Sequence, residues 1–260
     1  MSWKGFVMQS IANGAAIVRR DERVRSGLRI LMYHSVGSLV FGDKLGLHTI
    51  SEKRFREHLD SLAGMVTVPL QPLLIPKSDM HIAVTFDDGY ADNLNTAAPL
   101  LVERSIPFTV FVTSSFIRNH EPGFLSPGEL KQLAQLPGVI IGSHGCTHCH
   151  LNHCSDNQLR AELGESRRYL EDLIGRSVTA LAYPYGSSDR RVRDAALSAG
   201  YQLATCSRFD INQGSREPLM LNRCVILSED NEKIFRQKIA GDWDWYRWRS
   251  KDPLNIKQVD

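Results

Sequence analysis

No apolar run in the 260 residues approaches the roughly 18 that a membrane-crossing helix needs, so nothing in the sequence reads as a spanning segment. Neither charge dominates. The 31 Lys and Arg against 29 Asp and Glu leave a net charge of +2, which argues against a broad nucleic-acid footprint. There is no internal repeat and no low-complexity tract. Cysteine is sparse and odd in number: five, three of them crowded into residues 146–154, a pattern that suits reduced thiols better than a disulfide framework. The opening MSWKGFVMQSIANGAAIVRR reads poorly as an export signal, because Gln9, Ser10 and Asn13 interrupt its apolar part and arginines follow. The expectation is a cytoplasmic protein.

What is present is ordinary for a globular chain, with 42% hydrophobic and 23% charged residues and enough length for a barrel-sized core. Strand-like and helix-like segments alternate. LRILMYH (28–34), HIAVTF (81–86), PFTVFVT (107–113), GVIIGSH (138–144), VTALAYP (178–184) and YQLATC (201–206) read as strands. Between them lie helical patterns at 51–64, about 91–104, from Ser126 onward, 155–175 and near 189–199. Ser51 and Ser126 are placed as N-caps, and Gly64, Gly175 and Gly200 as stops. Such alternation predicts an α/β fold with a parallel sheet or barrel, whose chemistry gathers at the C-terminal ends of the strands.

Two strand ends carry reactive side chains. HIAVTF runs into Asp87, Asp88 and Gly89; a solvated Asp-Gly turn is one explanation, a site the other. GSHGCTHCHLNHC (142–154) places His144 and His148 four residues apart. With Asp88 they form two imidazoles and a carboxylate, a set suited to Zn²⁺, or to Co²⁺, Ni²⁺, Fe²⁺ or Mn²⁺. Asp87 is then free to take a proton from water activated by that ion. A rival grouping, a structural zinc knot of Cys146, Cys149, Cys154 and histidines, lacks the separated Cys-x-x-Cys arms usual for such sites. His150 and His153 read as rim or packing residues.

TFDDG together with SHGCTH resembles the first two motifs of the polysaccharide deacetylase family, the NodB-homology carbohydrate esterases, and the resemblance extends from about residue 28 to about 240. It implies a distorted (β/α) barrel in a single domain and a divalent metal held by Asp88, His144 and His148. Asp87 would be the general base, and N-acetyl groups of an amino sugar in a bacterial-type surface glycan, or a precursor such as a lipid-linked glycan, would be the target. The third family motif, Arg-x-Pro-Tyr, is here AYPYG, with Ala182 in place of the arginine. Pro184 and Tyr185 remain, and the Tyr185 N–H is assigned to the oxyanion. Arg223 is the candidate substitute for the arginine that holds the catalytic aspartate. The late Leu-x-His motif is missing, since no histidine follows His153. His34, ending the first strand, is therefore the candidate acid, similar to rearranged deacetylases of biofilm poly-N-acetylglucosamine in which an early Tyr-His supplies the proton. The alternatives are hydrolysis of a non-sugar C–N bond such as a cyclic ureide, and a glycan-binding protein without catalysis.

The expected organisation is an N-terminal helical extension over 1–27, with Trp3, Val7, Ile11, Ala15 and Val18 on one face; the deacetylase domain over 28–241; and an aromatic, basic tail over 242–260. The tail mixes Trp243, Trp245, Tyr246 and Trp248 with Arg247 and Arg249, and is read either as packing or as peripheral membrane contact.

Overall fold

The first strand, β1 (Gly27–Tyr33), is buried at all seven positions, as a strand covered on both sides must be. The computed structural model describes residues 8–14, 26–39, 43–72, 75–76, 78–214, 216–249 and 252–253. A short helix α1 (8–14) precedes β1. After it come β2 (Ser35–Val36), β3 (Thr49–Ile50), α2 (Glu52–Ser61), β4 (Val66–Thr67) and β5 (Met80–Phe86). The middle of the chain gives α3 (Ala98–Glu103), β6 (Phe108–Val112), α4 (Ser114–Arg118), α5 (Pro127–Gln135), β7 (Val139–Ser143) and α6 (Asp156–Ile174). The last third adds β8 (Ala180–Ala182), α7 (Arg190–Ser198), β9 (Leu203–Thr205), β10 (Cys224–Val225) and α8 (Glu232–Ala240).

The main sheet is parallel throughout, in the order β10-β1-β5-β6-β7-β8-β9. β4 shares an edge of β5 with β6, pairing at His81 and Ile82 while β6 pairs from Val84 to Phe86. The two ends of the sheet meet through one segment: Leu221 bridges Thr205 of β9, and Cys224 pairs with Leu31 of β1. The sheet therefore curls into the distorted (β/α) barrel of a single domain. Capping follows the sequence. Ser126 and Ser155 form reciprocal capping boxes with Glu129 and Gln158, and Gly175 ends α6 at φ 68°.

Strand parity sorts the core into two parts. Leu31, Tyr33, Ile82, Val84, Phe86, Val110 and Val112 face outward under the helices. Leu28, Ile30, Ala83, Phe111, Ala180, Ala182 and Leu203 fill the barrel interior. The interior is narrow. A Cβ on Gly142 would lie 2.4 Å from the Phe111 ring, so glycine is required beside that side chain.

Several boundaries differ from the sequence reading. The helix expected over about 91–104 opens with a π-helical turn, Asn93–Ala97, before α3. The turn is widened where its side chains leave to hold the β1–β2 connection: Asn93 Nδ2 donates to the His34 carbonyl at 2.9 Å, and Asp92 accepts from Ser35 Oγ at 2.6 Å. In the N-terminal extension Ala12 is the buried residue and Ile11 is 45% exposed, which corrects the face assigned to Ile11; Trp3, Val7, Ala15 and Val18 lie outside the described residues. At the other end, the segment expected as a tail begins inside the body. Arg29, fully buried, makes a two-pronged ion pair with Asp244 at 2.7 and 3.0 Å, Trp243 is buried, and Trp245 and Tyr246 pack against the core. Only Trp248 of the four aromatic residues projects, 78% exposed.

Candidate active site

The parity that fills the barrel also assembles the site. On β1 the inward series 28, 30, 32 ends at His34, on β5 the series 83, 85 ends at Asp87, and on β7 Gly142 is followed by His144. These form the top layer of the interior, at the C-terminal strand ends, and open into a cleft of about 810 Å³. Met32, His34, Asp87, Asp88, His144, His148 and Tyr185 all line it.

Asp87 is buried and gives both carboxylate oxygens to Arg223, with Nη1–Oδ1 at 2.6 Å and Nη2–Oδ2 at 2.7 Å. Arg223 is itself fully buried, its guanidinium over the Phe111 ring and its Nε on the Cys206 carbonyl. It reaches Asp87 through an interior lined by Ala83, Ala180 and Ala182, small side chains that leave room for it. Burial alone pushes the Asp87 carboxyl up, but the Arg223 and His144 charges outweigh it and hold the group below the usual carboxylate range. The solvated-turn explanation fails, because neither aspartate is solvated: Asp87 is 2% and Asp88 7% exposed.

Asp88 does not continue the strand. Its φ of 75° turns the chain over, so the carboxylate faces His144 and His148 instead of the opposite side of the sheet. Asp88 Oδ1 lies 3.5 Å from His144 Nε2 and 3.2 Å from His148 Nε2. Each imidazole is oriented from behind. His144 Nδ1 lies 2.8 Å from the Ala182 carbonyl, which can only accept, so Nδ1 carries the proton and Nε2 presents its lone pair. His148 Nδ1 lies 3.1 Å from the Tyr185 hydroxyl. Burial pushes the His144 imidazole down to about 4, keeping it neutral and able to ligate at neutral pH. For His148 burial acts in the same direction, but Asp88 outweighs it and raises the group. Burial would raise Asp88, yet the surrounding imidazoles of His148, His34 and His144 hold its carboxyl well below the ordinary range.

This set fits a divalent metal ion. One atom from each of Asp88, His144 and His148 lies within 4.8 Å of the others, and Asp88 Oδ1 is buried without a hydrogen-bond partner. It is also the one such cluster among the described residues, which overturns the cysteine-knot grouping. Cys149 and Cys154 face each other at 3.4 Å, apart from that cluster. His150 stacks on Tyr185 at 4.1 Å and His153 flanks His150 at 5.3 Å, both on the rim.

His34 stands in the cleft with its Nδ1 buried and unpartnered. Beside it is a residue the sequence reading did not single out. The His48 ring packs against that of His34 with centroids 4.4 Å apart, and the backbone N–H of His48 donates to Asp43 Oδ2 at 2.6 Å. No local signal marks His48, which sits in the β2–β3 loop, far from any motif. Pro184 is buried, whereas the Tyr185 ring is 60% exposed at the cleft mouth, with its backbone at φ 58°. A separate hollow of about 520 Å³ at the opposite end of the barrel, around Leu28, Val68, Leu70 and Leu203, gathers no such cluster.

The profile of the family described as polysaccharide deacetylase matches residues 75–204, half the chain, spanning both aspartates and both histidines. The chain belongs to the polysaccharide deacetylase family. The Bacillus subtilis protein YxkH is 30% identical over 184 residues, 68% of this chain and 63% of YxkH. Peptidoglycan-N-acetylglucosamine deacetylase PgdA of Listeria monocytogenes is 28% identical over 135 residues, 51% of this chain and 27% of PgdA. The chain thus spans under two thirds of either family relative. A polysaccharide deacetylase from Bacillus cereus has the same family fold, with a TM-score of 0.72 at 26% identity, covering 82% of this chain and 69% of that one.

Proposed function

We propose that the protein is a metal-dependent hydrolase that removes N-acetyl groups from an amino sugar of a bacterial-type surface polysaccharide or its precursor. The observation that carries this reading is the adjacency of a charge-paired buried carboxylate, Asp87, and a metal-fitting triad, Asp88, His144 and His148, in one open cleft. The similarity to a Listeria enzyme named for peptidoglycan N-acetylglucosamine supports an amino sugar as the substrate class.

A divalent ion bound by the triad would supply Lewis-acid polarisation of the acetyl carbonyl and a more acidic water. Two imidazoles and one carboxylate favour Zn²⁺, with Co²⁺, Ni²⁺, Fe²⁺ and Mn²⁺ as alternatives. Asp87, ionised and fixed by Arg223, accepts the proton of the attacking water. The backbone N–H of Tyr185, beside Pro184, stabilises the oxyanion that develops on the acetyl group. His34 donates a proton to the departing amine, without which amide cleavage stalls. The free thiols agree with a cytoplasmic setting, and exposed Trp248 is the feature that supports peripheral contact with a membrane holding a lipid-linked glycan.

Acetate release from chitooligosaccharides and poly-N-acetylglucosamine fragments by the metal-loaded protein tests the reading. Release that depends on metal and on Asp87 is expected. Metal-loaded protein that binds these glycans without releasing acetate is a binding protein, and one that cleaves only cyclic ureides has a different substrate class.

A further inference from the structure

His144 and His148 are separated by three loop residues, Gly145 to Thr147, so the path of that loop sets how the two imidazoles face each other. The restraint comes from helix α6. Glu162 and Ser166, one turn apart on its buried face, reach the three residues between the histidines. Glu162 Oε2 accepts from the backbone N–H of Cys146 at 2.8 Å and of Thr147 at 2.9 Å, and Oε1 accepts from Thr147 Oγ1 at 2.6 Å. Ser166 Oγ donates to the Gly145 carbonyl at 2.9 Å and lies 2.8 Å from Ser143 Oγ, which accepts from the Gly145 N–H at 3.1 Å. The loop so held ends in a strained residue: His148 has φ 58°, a left-handed conformation that a residue with a side chain keeps only when its surroundings impose it.

Glu162 is unusual in a second respect. It is 9% exposed, and among the described residues no Lys or Arg forms an ion pair with it. A buried carboxylate without a cationic partner is costly, and hydrogen bonds to two amides and one hydroxyl compensate only in part. A cation seated on Asp88, His144 and His148 would answer both features at once, because it would sit behind the loop that Glu162 grips and would feel its charge.

We propose that Glu162 is a positioning residue for the metal ion, fixing the 145–147 turn so that both histidine Nε2 atoms face Asp88 and adding a second negative charge behind it. The proposal rests on the metal reading of the triad, and the test separates the two. Zn²⁺ affinity is measured by competition with a chromogenic chelator for the wild type, Glu162→Gln and Thr147→Val, and the melting temperature of each metal-free protein is recorded beside it. Glutamine keeps the shape and one carbonyl acceptor but loses the charge. Glu162→Gln is expected to fold when metal-free and to bind Zn²⁺ about 10- to 100-fold more weakly, as losses behind metal ligands do. Thr147→Val, which removes one of the three donors and no charge, should lose less. Wild-type affinity in a folded Glu162→Gln protein overturns the proposal, as does a Thr147→Val loss equal to or larger than that of Glu162→Gln. A lower metal-free melting temperature with unchanged affinity makes Glu162 purely structural and likewise overturns it. Absence of Zn²⁺ binding by the wild type is a different failure, that of the metal reading itself.

Discussion

On one wall of the cleft, carried by β5 and β7, Asp87 gives both oxygens to Arg223, and His144 and His148 each have Nδ1 engaged from behind. On the other wall, carried by β1 and the β2–β3 loop, His34 and His48 pack ring to ring with both Nδ1 atoms buried and unpartnered. Among the fully buried side-chain atoms of Asp87, Asp88, His144 and His148, Asp88 Oδ1 alone lacks a hydrogen-bond partner, and it lies between the two imidazole Nε2 atoms. Buried polar atoms without a partner thus occur on both walls; under the proposed function a cation would complete the first and substrate the second. Preorganisation on the first wall suits groups that must not move during the reaction, whereas the second leaves two ring nitrogens open.

The comparison breaks most decisively at His148. His148→Ala should lower metal content to background in a protein that still folds, and turnover should vanish with it; full metal occupancy by elemental analysis would remove His148 from the site. Next in size is Asp87→Asn. It should retain metal and slow acetate release by about 100- to 10,000-fold, because an amide cannot accept the proton at neutral pH. A loss below tenfold with metal intact would falsify its role as base. Arg223→Ala leaves the buried Asp87 carboxylate unpaired, so chemical denaturation should show a loss of about 3–5 kcal/mol.

The second wall should respond differently. His34→Ala should keep both fold and metal while amide hydrolysis falls about 100-fold, with an activated aryl acetate ester much less affected because its leaving group needs no acid. Equal, unimpaired rates on amide and ester would make His34 a packing residue. His48→Ala should have a smaller effect of the same kind, since it reaches the reaction through its contact with His34.

A pH series sharpens the contrast without any substitution. The His144 pKa is lowered, from an ordinary value near 6.5 to about 4, so in that window the unfolded chain binds a proton that the folded, metal-free protein does not. Stability should therefore fall as pH drops from about 6.5 toward 4, and it is fully present only above that window. Asp87, also depressed, extends the loss to lower pH, while the raised His148 opposes it. Urea midpoints of the metal-free protein that stay flat from pH 7 to 4 would contradict the burial assigned to His144.

The sequence by itself determined the elements and what stands at their tips. Strand parity, a local property, already puts His34 on the face of Leu28 and Ile30 and Asp87 on that of Ala83, but with β1 buried on both faces only the closed barrel shows that face to be inward. Helix starts at Ser126 and Ser155 were legible for the same reason: a cap needs only its own first turn. The pairing of Asp87 with Arg223, 136 residues away, could be suggested from a missing arginine, but its two-pronged geometry depends on how β10 closes the barrel beside β1. Three features left no local trace. The Asp88 turn-over at φ 75°, the Tyr185 hydroxyl behind His148 and the Glu162 grip on the 145–147 turn all depend on which distant segment packs alongside. Hydrogen bonds and burial between segments far apart in sequence are set by the closed barrel, so only the tertiary structure could decide them.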